Sequence, residues 1–400
     1  MLPIIDIEQL GLDAGAHLLV KHGLRGVPPG GVLGVTGSLP GWEAQLSAWC
    51  RSQGHQCSVS EQDGRRLARV VKGNAEAGRW RGALKTGHAD PALAGAVADQ
   101  AQACWGLAAR GATVEAGSPA MHFRLDQKSE VWADNAADLY AQAAAAQWNA
   151  DTAIDWTAPF ELPDIVEDAV VQVLTYLIEN EEAALVVPAR FLGQLHPHFR
   201  EVQALLAIQV ADEARHIGVF TRRLRLKGRE PALSTAGGQT SLKTLVDEPD
   251  FSVAQFLLSV LGEGTFVILL HFLREHAPDP VMRDVARLAA RDEARHVAFG
   301  MMHLGSRLAQ EPGFRTRLAH AVQSRNDALS ATSGLNEEVF DALIILAAGE
   351  FTPAAIAAGY VRVQQLMRDM ANGRQARLEK LGFEKDAAQR LSALHTRNFM

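Results

Sequence analysis

The chain has 400 residues, 48% hydrophobic and 21% charged, with a net charge of −7. That length exceeds one small core and predicts two domains, and the acidic balance excludes a nucleic-acid or anionic-membrane surface as the main partner. No basic stretch followed by an apolar one stands at Met1, and Cys50, Cys57 and Cys104 show neither metal spacing nor a disulfide framework, so no signal peptide and a reducing cytoplasm are expected.

Residues 1–75 read as a small two-layer α/β unit. A helical pattern over 14–24 is followed by the turn signal Pro28-Pro29-Gly30-Gly31. A short strand follows at 32–35, then a second helix at 46–53 ended by Gly54, then short strands at 57–59 and 67–71. The stretch PPGGVLGVTGSLPGWEAQLSAWCRSQGHQCSV resembles the small sulfur-carrier domains of the TusA type. That family carries Cys-Pro-x-Pro at the start of its first helix. The corresponding place here is Asp13-Ala14-Gly15-Ala16, and an aspartate cannot carry a persulfide, so sulfur transfer is not expected. Cys50 reads as a small buried hydrophobe in the second helix. The domain is expected to dock a partner, cover a site elsewhere or aid assembly.

Residues 76–130 read as a connector rich in Gly, Ala and short polar residues, with one helical pattern at 91–110. Trp80, Trp105 and Trp132 are expected to anchor packing between domains. From 131 to 400 the pattern is helical. A lead-in helix at 136–148 precedes a bundle helix at 163–195, in which Pro188 removes a backbone donor and predicts a kink. A second helix is expected at 197–226, a Gly/Ser/Thr-rich crossing loop at 227–244, a third helix at 252–276 and a fourth at 280–308. The run 256–273 nears membrane-spanning length, but Glu263 stands at its middle, so a buried bundle helix is expected. Gly262 and Gly264 flank that carboxylate and would permit a close neighbour. Helices at 315–325, at 337–371 with a break at Pro353, and at 376–394 are expected around the bundle or at a dimer face.

One pentad occurs twice. Asp212-Glu213-Ala214-Arg215-His216 and Asp292-Glu293-Ala294-Arg295-His296 are identical and lie 293−213 = 80 positions apart. On a helix, residues i and i+3 share a face, so Glu213 points with His216 and Glu293 with His296. A carboxylate and an imidazole on one face suit a borderline-hard metal. Two such helices facing each other need one more carboxylate from each of two further helices to complete a bridged di-metal site. An antiparallel partner helix and its return span about 30 residues. Glu263 lies 293−263 = 30 before Glu293, and Glu182 lies 213−182 = 31 before Glu213. Glu263 precedes Phe272-Leu273 by nine, as Glu182 precedes Phe191-Leu192, which favours Glu182 and leaves Glu181 as the alternate. An unpaired carboxylate in an apolar helix is costly, and a cation removes that cost.

This pattern resembles the ferritin-like di-iron carboxylate proteins. Asp-Glu-x-Arg-His is similar to motifs of acyl desaturases and of multicomponent monooxygenase hydroxylase subunits, and DEARHVAFG at 292–300 is especially similar to the latter. The resemblance covers about the last 240 residues. It implies a mainly α fold, a ferritin-like four-helix bundle with extra helices behind the α/β domain. It also implies two iron ions at Glu182, Glu213, His216, Glu263, Glu293 and His296, with Asp212 and Asp292 holding the histidines by their second nitrogen. Salt bridges to Arg215 or Arg295 are the alternative use of those aspartates. Manganese, or a mixed Mn/Fe pair, suits the same ligands.

The implied activity is that of an O2-activating oxidase or monooxygenase on a small organic substrate, served by an electron donor, in a homodimer. A ferroxidase is the alternative. A radical-generating reductase subunit needs a tyrosine near the metals, and Tyr176, six before Glu182, has an unpromising offset. Val267 stands where multicomponent hydroxylases place a threonine, and Ala289 where amine-oxidising di-iron N-oxygenases add a histidine. Glu350 is a stray carboxylate read as structural.

Overall fold

The computed structural model describes residues 2–62, 64–329 and 337–395. The described residues within Met1–Ala96 and Ala108–Ala120 form one compact unit, and those within Val97–Leu107 and Met121–Met400 form another. The stretch 76–130 is therefore divided between the two units.

The first unit runs β1 (Ile4–Asp6), α1 (Ala16–Arg25), β2 (Val32–Thr36), α2 (Trp42–Ser52), β3 (Gln56–Gln62) and β4 (Arg65–Val71). The sheet order is β1-β2-β4-β3, with β1 parallel to β2 and the other pairs antiparallel. The parallel pair needs a crossover, which α1 supplies. Burial at Ala16, Val20 and Leu24 on α1, and at Trp42, Leu46 and Cys50 on α2, recurs every four residues and gives each helix one apolar stripe. Both stripes meet Leu33, Val35, Ala68 and Val70 of the sheet in one core. Cys50 is a fully buried member of that core. Helix α3 (Ala75–Trp80) and the two-stranded sheet of β5 (Leu84–Lys85) and β6 (Thr113–Val114) complete the unit. Trp80 is 64% exposed.

The helix expected at 91–110 does not form. Only a 3₁₀ turn at Ala103–Trp105 is present. Gly95 and Gly106 take positive φ, so no continuous helix crosses this stretch.

The second unit is helical. Short α4 (Lys128–Val131) and α5 (Ala136–Ala145) lead into α6 (Asp164–Leu192), which contains Pro188, and α7 (Arg200–Leu226). The expected Gly/Ser/Thr loop holds a helix, α8 (Ala236–Val246), started by Thr235, whose hydroxyl accepts from the Gly238 N–H. Next comes α9 (Phe251–Gln255), a π-helical segment (Phe256–Glu263) and α10 (Gly264–Glu275), one continuous rod. It is apolar and long enough to cross a membrane, yet 83% of its apolar window is buried inside the protein. Helix α11 (Pro280–Gln310) begins with Asp279 as its cap and proline at the first turn. Helices α12 (Phe314–Leu329), α13 (Glu337–Ala348), α14 (Pro353–Lys380) and α15 (Lys385–Leu394) follow.

Helix α6 packs on α7, and α10 with the π segment packs on α11; the pairs meet where α7 touches α11. This is a ferritin-like four-helix bundle, with α13 laid on α6 and α14 on α10. Its core joins Val170, Leu174 and Leu177 of α6 to Phe220, Leu270 and Val285. A buried ion cluster fixes the register of three elements. Arg223 of α7 donates to both oxygens of Glu167 on α6, at 2.8 and 2.9 Å, and to Asp279 at 2.9 and 3.1 Å. Asp279 also caps α11 by accepting from Met282 N–H at 2.8 Å.

Candidate metal centre

The two pentads sit on α7 and α11 with the same burial pattern. In each, the Asp, Glu and His are buried, the Ala is exposed and the Arg is intermediate. Helical spacing alone dictates this, because Glu and His at i and i+3 face the neighbouring helix while the Ala faces away.

Two groups of donors converge between the four helices. Glu181, Glu213, His216 and Glu293 each offer one ligand atom within 4.8 Å of the others, and so do Glu213, Glu263, Glu293 and His296. Glu213 and Glu293 belong to both groups. All six side chains are at most 3% exposed. The Nδ1 of His216 lies 3.1 Å from Glu213, 3.4 Å from Glu181 and 3.4 Å from Glu293. The Nδ1 of His296 lies 3.0 Å from Glu213, 3.3 Å from Glu293 and 3.9 Å from Glu263.

Glu182 does not join this cluster. It is exposed, and its neighbour Glu181 takes the place the sequence reading gave it. One residue along a helix turns a side chain by about 100°, so only one of the two can face the centre. The spacing argument missed because the returns between helices differ. Seven residues, 193–199, separate α6 from α7, including the 3₁₀ turn Pro197–Phe199, whereas four, 276–279, separate α10 from α11. Glu350 is also outside the cluster; it is exposed beyond the end of α13.

The aspartates cross over. His216 Nε2 lies 3.2 Å from Asp292 Oδ2, and His296 Nε2 lies 3.5 Å from Asp212 Oδ2, so each pentad's Asp reaches the other pentad's His. The same aspartates pair with the arginines. Arg215 lies 2.8 Å from Asp292 and also pairs with Asp212; Arg295 pairs with Asp292 and lies 3.6 Å from Asp212. The two uses offered as alternatives are both present. With Nε2–H directed at a carboxylate, the Nδ1 lone pair is left facing the cluster.

Three further groups were not found from sequence. Gln209, one turn before Glu213 and fully buried, donates to Glu263 Oε1 at 2.9 Å. Trp148 Nε1 donates to Asp292 at 2.8 Å, and Gln147 Nε2 donates to Asp212 at 2.8 Å. The guanidinium of Arg215 stacks on the Trp148 ring at 4.6 Å. The i−4 spacing of Gln209 from Glu213 was readable. Gln147 and Trp148 follow α5, and no periodicity aims them.

Electrostatics show what the cluster lacks. Burial pushes the carboxyls of Glu181 and Glu263 well above the carboxylate range, and Glu293 and Glu213 add repulsion to both. Burial also acts to raise Glu213, but His296 and His216 overcome it and hold it below the ordinary value. Burial disfavours charge on both imidazoles, yet Glu181 and Asp292 beside His216, and Glu213 and Asp212 beside His296, push them well above theirs. The protein on its own thus binds protons to offset four crowded carboxylates. The buried Oε1 of Glu181, both oxygens of Glu213, Oε2 of Glu263, Oε1 of Glu293 and Nδ1 of His216 have no hydrogen-bond partner among the described residues. Orphaned buried polar atoms on this scale are rare in folded proteins. They are oxygen and imidazole donors, and two divalent cations balance four carboxylates. The residues fit a carboxylate-bridged pair of metal ions of the di-iron or Mn/Fe kind.

Tyr176 does not belong to this environment. Its phenol is fully buried, and burial raises its pKa, with Arg325, Asn180 and Glu179 as its electrostatic neighbours.

No family model matches the chain, and no curated protein does. Solved structures do. A Synechococcus protein with aldehyde deformylating oxidase activity is similar at 18% identity and a TM-score of 0.42, over 57% of this chain and 96% of that one. An R2-like ligand-binding oxidase with a reconstituted Mn/Fe cofactor is similar at 16% identity and 0.44, over 63% and 93%. The R2-like ligand-binding oxidase from Sulfolobus acidocaldarius is similar at 15% identity and 0.43, over 61% and 89%.

Proposed function

We propose that the chain is an O2-dependent oxidase or monooxygenase of a small organic substrate, with a pair of metal ions, iron or Mn/Fe, held by Glu181, Glu213, His216, Glu263, Glu293 and His296. One observation carries this reading: two four-donor groups share Glu213 and Glu293 in a buried site, several of whose oxygen and nitrogen atoms lack a hydrogen-bond partner among the described residues. A bound pair would supply the electrons and open coordination positions that oxygen chemistry requires.

The chain's own residues prepare that chemistry. Asp292 and Asp212 orient the imidazoles through Nε2. Gln209 restrains Glu263, and Trp148 with Gln147 restrains the aspartates. Near-complete burial of all six donors keeps bulk water from the reacting centre and strengthens each electrostatic contact.

The test begins with metal content. Purified protein loaded with Fe(II) should hold about two ions per chain, and Glu263→Ala or His296→Ala should remove most of them. Reduced, loaded protein should then consume O2 and oxidise an added organic substrate, followed by mass spectrometry. Prolonged iron mineralisation with no substrate oxidation would assign the ferroxidase activity instead.

A further inference from the structure

One cavity is lined by none of the candidate metal donors. Helix α12 and the start of the α9 rod border a cavity of about 640 Å³. Small-molecule sites run about 300–1,000 Å³. Val253, Leu257 and Ala321 make an apolar wall, and Ser324 and His320 stand at the exposed rim.

Arg325 lines the same cavity, yet it is only 5% exposed. Its Nη2 donates to Ser241 Oγ at 2.8 Å. Its Nε and Nη1 are buried without a hydrogen-bond partner, and no carboxylate pairs with it among the described residues. Burial pushes its pKa down, but only to about 10, so it stays charged at neutral pH. The cavity's other charged side chains are engaged elsewhere. Glu248 accepts from the Asp250 N–H at 2.9 Å, and Arg317 pairs with Asp250 at 2.7 Å. Buried His395 is held well below its ordinary pKa by burial and then by Arg325, Arg374 and Arg377, which marks the surrounding field as positive. A buried, unpaired guanidinium is a costly feature unless an anion meets it.

We propose that this cavity binds an organic carboxylate, its anionic end on the free N–H donors of Arg325 and its short apolar chain along Val253, Leu257 and Ala321. The site stands independently of the oxidase reading. The experiment is calorimetric titration of metal-loaded, full-length protein with hexanoate, and with hexanol as the uncharged control. Hexanoate binds saturably and at least about tenfold tighter than hexanol, and Arg325→Met weakens hexanoate by about 10- to 100-fold while leaving hexanol unchanged. Ala321→Trp keeps the buried charge and puts a bulky indole on the apolar wall, so it weakens hexanoate binding at least about tenfold even where Arg325→Met fails to fold. Absence of saturable hexanoate binding, equal binding of the alcohol, or binding indifferent to Ala321→Trp overturns the proposal.

Discussion

Exchange of one carboxylate for its amide at two adjacent positions separates the geometry from the sequence reading. Glu181 is 1% exposed and contributes to the group with Glu213, His216 and Glu293, while Glu182 is exposed and contributes to neither group. Glu181→Gln removes one of the four donors of the first metal position and one of the whole site's four carboxylate charges. The second position keeps Glu213, Glu263, Glu293 and His296. Metal content should therefore fall from about two ions per chain to about one, and it should stay at about two in Glu182→Gln. In the metal-free protein Glu181 lies 3.4 Å from His216 Nδ1 and raises that imidazole's pKa, so the apo melt should shift as well and each variant is compared with its own metal-free form. Binding to the folded state alone stabilises by about 4 kcal/mol per site at a thousandfold excess over Kd, and the variant should lose about one such increment. Elemental analysis and thermal melts with and without anaerobic Fe(II) read both quantities. Two ions retained by Glu181→Gln, or one lost from Glu182→Gln, would refute the assignment.

Asp292→Asn removes the acceptor that His216, Arg215 and Trp148 share, and metal affinity should drop about 10- to 100-fold in a chelator competition while the fold persists. An unchanged affinity would reduce Asp292 to a salt-bridge partner. Arg223→Met leaves Glu167 and Asp279 buried without their shared cation, and denaturant unfolding should show a loss of about 3–5 kcal/mol. His303 gives a pH signature. It sits buried between Ser252 and the Trp132 carbonyl, and burial lowers its pKa from 6.5 to about 4. Between those values the unfolded chain takes up a proton that the folded chain refuses. The contribution of His303 should therefore be flat above about pH 7.5 and cost about 2 kcal/mol between pH 7.5 and pH 5. His303→Asn should lack that component, and parallel slopes in variant and parent would contradict it.

What the sequence disclosed follows from periodicity. The pentads, the four long helices and the carboxylate Glu263 repeat at spacings that a helix turns into faces, and these came together as expected. Glu181 was hidden because its choice depends on the length of a return, 193–199, whose 3₁₀ turn no hydrophobic pattern records. Helix α8 was hidden because Gly237, Gly238 and Thr240 lower helix propensity, while the cap at Thr235 that offsets this is a single side chain. Gln147 and Trp148 were hidden for another reason. They reach their aspartates from outside regular structure, where sequence distance says nothing of spatial distance.

The π segment ties several of these observations together. A π turn is wider than an α turn and is uncommon away from functional sites. Here it spans Phe256–Glu263 and ends on a carboxylate that faces the donor cluster. A widened helix in a close-packed bundle needs room on its flanks. On one side is Gly300 of α11, where an added Cβ would lie 2.6 Å from the Ser259 Cβ. On the other is Gly264, where a Cβ would lie 2.4 Å from Arg377, whose Nε in turn donates to the Val260 carbonyl at 2.6 Å. Carbonyls displaced from α register need other donors, and Arg377 is one. The glycine that closes DEARHVAFG thus has a packing reason distinct from ligation, since it admits the distorted rod that sets Glu263 against Gln209 and His296. The converging donors and the spacing glycines therefore form one device, in which α11 both offers Glu293 and His296 and makes space for the helix that brings the opposing carboxylate.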